Sequence, residues 1–73
     1  MKATTWIKKN SNCPIETEKA IQLLNRSIAL YQLSSDKIKQ EYIEQIKQNL
    51  KESELYAEYY VIAAKAFLKY YSL

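Results

Sequence analysis

The fold of this chain is decided by residues 14–50, which read PIETEKAIQLLNRSIALYQLSSDKIKQEYIEQIKQNL. Apolar side chains recur there every three or four residues, in two stretches separated by the polar run Ser-Ser-Asp at residues 34–36. This spacing is typical of an amphipathic helix. Because Ser and Asp hydrogen-bond nearby backbone groups, the polar run predicts the end of one helix and the N-cap of the next. The segment therefore predicts helices over about residues 14–33 and 36–51.

The first of these helices has a clear start signal. Pro14 suits the first helical position, where its missing N–H group would be unpaired in any case. Asn12 or Cys13 then occupies the N-cap, and Glu16 and Glu18 place negative charge at the positive end of the helix dipole. The start of the first helix is therefore predicted at Pro14.

The sequence after Leu50 leaves two alternatives open. Ser53 can cap a third helix over about residues 53–72, or one helix can continue through residues 36–71. A continuous helix would be about 54 Å long, and the first helix could cover barely half of it. We therefore favour the version with a turn near residues 51–53, since the continuous version would need a partner chain.

Composition supports a purely helical fold. The chain has 73 residues, no glycine and one proline, so it has few of the residues that turns require. Hydrophobic residues make up 48% and charged residues 26%, which is ordinary for a folded protein. The prediction is all-α: one domain over residues 14–73, built as a small antiparallel helical hairpin or three-helix bundle after a basic N-terminal arm. A core this small gives only about 3–5 kcal/mol of stability, which favours self-association.

The predicted arm spans residues 1–13, and it carries all of the excess positive charge. The net charge of the chain is +3, and this arm holds three lysines and no acid. It is predicted to be a flexible tail or a strap in which Trp6 and Ile7 fold back on the helices. Lysines on phosphates and an aromatic ring for stacking would also suit nucleic acid. The candidate nucleic-acid contacts are Lys2, Trp6, Lys8 and Lys9.

The C-terminal segment, residues 55–73, is apolar almost all round. Glu58, Lys65, Lys69 and Ser72 are its only residues that are neither apolar nor aromatic, and the three charges exclude a membrane span. Tyrosine is enriched at protein interfaces, so we predict that this helix forms a subunit or partner interface. The alternatives are a central helix with some exposed tyrosines, or a membrane-surface helix. The predicted interface residues are Tyr56, Tyr59, Tyr60, Ala64, Phe67, Tyr70 and Tyr71.

The chemistry of the sequence argues against an enzyme. Histidine and glycine are absent and there is one cysteine, which excludes histidine bases, His/Cys zinc sites, disulfide frameworks and Gly-rich phosphate loops. No catalytic residue, metal ligand or cofactor is therefore predicted. Interspersed lysines make the glutamates look like a solvated face.

Together these observations predict a small non-enzymatic protein-binding regulator: an inhibitor, adaptor or immunity-type protein. It would bind another protein or a second copy of itself. The alternatives are a nucleic-acid-associated protein that uses the arm and a structural subunit of a helical assembly. Residues 1–9 contain no apolar run typical of an export signal, and a lone Cys13 suits a reducing compartment, so a cytoplasmic location is expected.

Overall fold

The computed structural model describes residues 3–10 and 14–71, and all regular structure in these two ranges is helical. The all-α prediction is confirmed. A single 3₁₀ turn, Ser53–Leu55, precedes the last helix. The four α-helices in chain order are α1 (Ala3–Asn10), α2 (Pro14–Gln32), α3 (Asp36–Lys51) and α4 (Glu58–Tyr70).

Helix α1 occupies residues 3–10 of the predicted arm, where the sequence indicated no helix. Ile7 is fully buried, and Trp6 is half-buried against the same core. The helix packs mainly on α4 and to a smaller extent on α2. An eight-residue helix is marginal alone, so its stability comes from this packing. The remaining arm positions, residues 1–2 and 11–13, lie outside the described residues.

The turn between α2 and α3 lies where the sequence predicts it. Ser35 is the N-cap of α3, and its Oγ accepts a hydrogen bond from the backbone N–H of Ile38 at 3.3 Å. Ser34 Oγ donates to the carbonyl oxygen of Leu30 at 2.8 Å. These two side chains satisfy backbone groups on both sides of the turn, which fixes its geometry.

Helices α3 and α4 are separate, so the version with a break describes the chain correctly. The longest dimension of the protein is 35 Å, which is shorter than the continuous helix would be. The predicted start of the third helix was too early, because Ser53 begins the 3₁₀ turn and α4 starts at Glu58. Ala57 occupies the N-cap of α4 without a side-chain hydrogen bond.

Asn49 holds the connection between α3 and α4 in place. Its Nδ2 donates to Tyr60 Oη at 2.8 Å, while its Oδ1 accepts from Tyr56 Oη at 2.9 Å and from Gln45 Nε2 at 2.8 Å. The rings of Tyr56 and Tyr60 stack with centroids 5.0 Å apart. These contacts join residues up to 11 positions apart, so local sequence patterns do not predict them.

The directions of α2, α3 and α4 follow from the contacts at the two ends of α4 and from the short turn between α2 and α3. Lys19 and Tyr59 meet near the starts of α2 and α4, and Tyr31 and Tyr71 meet near their ends, so α2 and α4 run parallel. The short α2–α3 turn makes α3 antiparallel to both. Helix α4 contacts each of the other three helices, which explains why it is apolar almost all round. Its buried residues are Ile62, Ala63, Ala64, Ala66 and Phe67.

Candidate functional site

The predicted interface residues do not form one surface. Ala64 and Phe67 are 6% and 1% exposed, so they belong to the core and cannot contact a partner. Tyr56 and Tyr70 are exposed, but Tyr56 precedes α4 and Tyr70 is its last residue, so they lie at opposite ends of this helix. The other three predicted tyrosines are half-buried: Tyr59, Tyr60 and Tyr71.

Most aromatic side chains pack against one another near the C-terminal end of α4. Phe67 lies edge-on to Tyr31 and Tyr42, with ring centroids 5.2 and 5.5 Å away. Tyr71 contacts Tyr31 at 4.6 Å, and Tyr70 packs against Tyr71 at 4.8 Å. Edge-to-face and offset geometries at these distances are favourable for aromatic rings. This aromatic cluster therefore joins α2, α3 and α4 at one end of the bundle.

The hydroxyl of Tyr71 is buried in this cluster and finds no hydrogen-bond partner among the described residues. Burial raises the pKa of Tyr71 above its ordinary value of 10.0, and the neighbouring Tyr70 and Tyr31 hydroxyls act in the same direction. Gln32 acts in the opposite direction, but its side chain does not reach hydrogen-bond geometry. The hydroxyl therefore loses its hydration on folding without gaining a direct partner.

Removing that hydroxyl should stabilise the protein. We expect Tyr71→Phe to raise the free energy of unfolding by about 1 kcal/mol at pH 7, because an unpaired buried polar group is costly. The folded state holds the Tyr71 proton more tightly than the unfolded state, so wild-type stability falls as pH rises above 10. The advantage of the variant should therefore grow between pH 10 and 11 in urea unfolding. Tyr70→Phe is the matched control, and equal effects of both substitutions would contradict the assignment.

The exposed large apolar side chains lie at the two ends of the bundle. Leu30, Leu33 and Ile38 flank the α2–α3 turn and are 60%, 86% and 50% exposed. Tyr70, 51% exposed, lies at the same end, since its neighbour Tyr71 contacts Tyr31 of α2. We call these four residues the turn-end surface. The exposed apolar residues at the other end are Ile15, Leu55 and Tyr56.

Three of the four predicted nucleic-acid contacts, Trp6, Lys8 and Lys9, lie on helix α1. Lys8 and Lys9 are exposed, whereas Trp6 is half-buried. The ammonium group of Lys69 lies 5.5 Å from the centre of the Trp6 ring, which is a cation–π distance. Lys2 lies outside the described residues. The structure therefore adds a lysine of α4, which sequence analysis did not associate with the arm, to this group.

The clefts of the protein are shallow. One of about 340 Å³ is lined by Lys19, Gln22, Leu23, Arg26 and Tyr59. Another of about 430 Å³ lies beside α3, with side chains of both charges around it. Within residues 3–10 and 14–71, no group of three or more potential metal ligands comes together. The surfaces, rather than a cavity, are therefore the candidate functional sites.

Comparison with known proteins leaves the function to be argued from these surfaces. No protein-family model, curated protein or solved structure matches this chain. Within the described residues, none of the helices combines the length and the apolar composition that a membrane span requires.

Proposed function

We propose that this protein is a non-enzymatic regulator that binds another protein through the turn-end surface. The observation that carries the proposal is the exposure of Leu33, at 86%, at the same end of the bundle as three further large apolar side chains that are each at least half exposed. Single exposed apolar residues are common, whereas several at one place are typical of an interaction surface. The turn-end surface replaces the interface predicted from the C-terminal segment, and of the residues predicted there it keeps only Tyr70.

Aromatic packing and hydrogen bonds hold the residues of the turn-end surface in place. Tyr70 packs on the aromatic cluster, and the hydrogen bonds of Ser34 and Ser35 fix the turn that carries Leu33. A surface that is ordered before binding loses little conformational entropy when a partner arrives. This arrangement supports binding by occupation of an apolar pocket on the partner, as an inhibitor, adaptor or immunity-type protein would do.

The same surface can also receive a second copy of the chain. A two-fold dimer buries the same patch on both subunits, so Leu33 of each copy would lie near the symmetry axis. The protein would act in the cytoplasm, where its single cysteine stays reduced.

A comparison of two surface variants tests this function. Leu30→Ser combined with Leu33→Ser and Ile38→Ser removes most of the turn-end surface, and all three positions are exposed. The matched control changes the other end of the bundle, with Ile15→Ser and Leu55→Ser. Pull-downs from source-cell extract and light scattering on purified protein give the readouts. We expect the wild type and the control to bind the same partner or dimerise, and the triple variant to lose binding at least tenfold.

Circular dichroism keeps the test independent of folding. All three proteins should show the same helical signal, since none of the changed side chains belongs to the buried core. Equal binding by the triple variant and the wild type would contradict the proposal. A selective loss in the control would move the interface to the end that carries Leu55.

A further inference from the structure

The positive charge of the protein is concentrated on two helices that pack together. Helices α1 and α4 carry four lysines against a single acid, Glu58. Helix α2 is balanced, with two acids and two bases, and the segment of residues 36–55 has one more acid than bases. Helix α1 packs on α4, so these four lysines lie on two neighbouring helices. We call Lys8, Lys9, Lys65 and Lys69 the basic face.

Contacts and helix directions place Lys9, Lys65 and Lys69 near one another, and Lys8 is the exposed neighbour of Lys9 along the chain. Lys69, in the last turn of α4, lies 5.5 Å from the centre of the Trp6 ring, which places the middle of α1 beside the end of α4. Three residues separate Asn10 from Pro14, a connection of at most about 14 Å. Since α2 and α4 start at the same end of the bundle, α1 must run antiparallel to α4.

This direction brings Lys9 of α1 toward Lys65 of α4. Lys65 precedes Lys69 by one helical turn, about 6 Å along the axis of α4. Lys9 follows Trp6 by one turn of α1, in the direction of Lys65. All four lysines of the basic face are exposed, so their ammonium groups are available to an anionic partner.

We propose that the basic face binds the phosphate backbone of a nucleic acid without sequence preference. Charge complementarity carries the proposal, because a run of phosphates matches several lysines on one side of a small protein. Lysine binds phosphate as a point charge and lacks the bidentate hydrogen-bond geometry that distinguishes one base from another. Trp6, the aromatic ring of this face, is half-buried, which limits its stacking on bases. This site is separate from the turn-end surface.

A nucleic acid fits the basic face better than an anionic bilayer does. A helix that lies on a membrane inserts large apolar side chains between the lipid headgroups. The exposed large apolar residues of the described chain lie at the two ends of the bundle and none belongs to α1. On α4 only Tyr70 is of this kind, and its ring packs against that of Tyr71. The basic face therefore offers charge without an inserting group.

Fluorescence anisotropy with a labelled 20-base DNA, single-stranded and as a duplex, tests the proposal on the full chain. With four phosphate contacts, log K should fall with log salt at a slope of about −3 to −4. Binding should therefore weaken about a hundredfold between 50 and 200 mM salt. Lys8→Gln with Lys9→Gln, and separately Lys65→Gln with Lys69→Gln, should each halve that slope. The control Lys37→Gln with Lys47→Gln removes the same charge from exposed positions of α3 and should leave the slope unchanged.

Three outcomes would overturn the proposal. The first is no binding to either DNA at 50 mM salt, where phosphate contacts are strongest. The second is an equal loss in the α3 control, which would mean that net charge rather than the basic face is responsible. The third is sedimentation with phosphatidylserine vesicles in the absence of DNA binding, which would assign the face to a membrane surface. The turn-end triple variant should bind DNA like the wild type, so this test and that of the proposed function fail independently.

Discussion

The Phe67→Ala variant should be largely unfolded at 25 °C. Phe67 is 1% exposed and is the largest fully buried side chain of the described core. Its ring touches Tyr31, Tyr42 and Tyr71 on three sides, at centroid distances of 5.2, 5.5 and 5.0 Å. Truncating a buried phenylalanine to alanine costs about 3–5 kcal/mol, which is as much as a core of this size supplies.

Circular dichroism at 222 nm with urea titration measures this effect. Phe67→Leu keeps most of the volume and should remain folded with a smaller loss, because volume-conserving apolar changes are tolerated best. Tyr70→Ala removes a neighbouring exposed ring and should cost less than about 1 kcal/mol. A folded Phe67→Ala protein with nearly wild-type stability would show that the aromatic cluster does not hold the three helices together.

The second large effect is expected at Ile7. This side chain is fully buried although it lies only a few residues from the start of the chain. Ile7→Ala should lower the free energy of unfolding by about 2–4 kcal/mol, because it leaves a cavity between α1 and the core. Lys8→Ala changes an exposed neighbour and should be nearly neutral.

The pair of variants at residues 7 and 8 distinguishes a structural helix from a tail. If the first ten residues were loosely attached, both substitutions would leave the urea midpoint unchanged. A graded series strengthens the test, since Ile7→Val should cost only about 0.5–1.5 kcal/mol. Helix α1 is thus expected to unfold together with the rest of the protein in a single transition.

Local signals made α2 and α3 predictable from the sequence. Pro14 opens α2, and the polar run before Ile38 both ends α2 and caps α3. Among the periodic apolar residues of these helices, Ala20, Leu24 and Ile46 are buried. Each of these features depends on residues within one or two helical turns, which is the range that periodicity and capping describe.

The features that sequence analysis missed depend on distant contacts. The short stretch around Trp6 and Ile7 is helical because α4 covers it, and eight residues carry too little periodicity to reveal this. Because the sequence did not predict α1 as a helix, α4 had too few neighbours to cover it. Ala64 and Phe67 were therefore assigned to a partner interface instead of the core. The turn-end surface was not predicted because Leu30 belongs to the recurring apolar residues of α2, and whether such a residue is exposed depends on where α2 meets its neighbours.

The central position of α4 also has a consequence for how the chain acquires its structure during synthesis. Of the nine buried residues in the described part of the chain, five belong to α4 and the other three helices contribute four. A growing chain that ends before residue 58 therefore has no core to assemble, whatever helices it forms locally. Folding must wait until α4 has left the ribosome, and until then the apolar faces of α1, α2 and α3 stay open to chaperones and proteases.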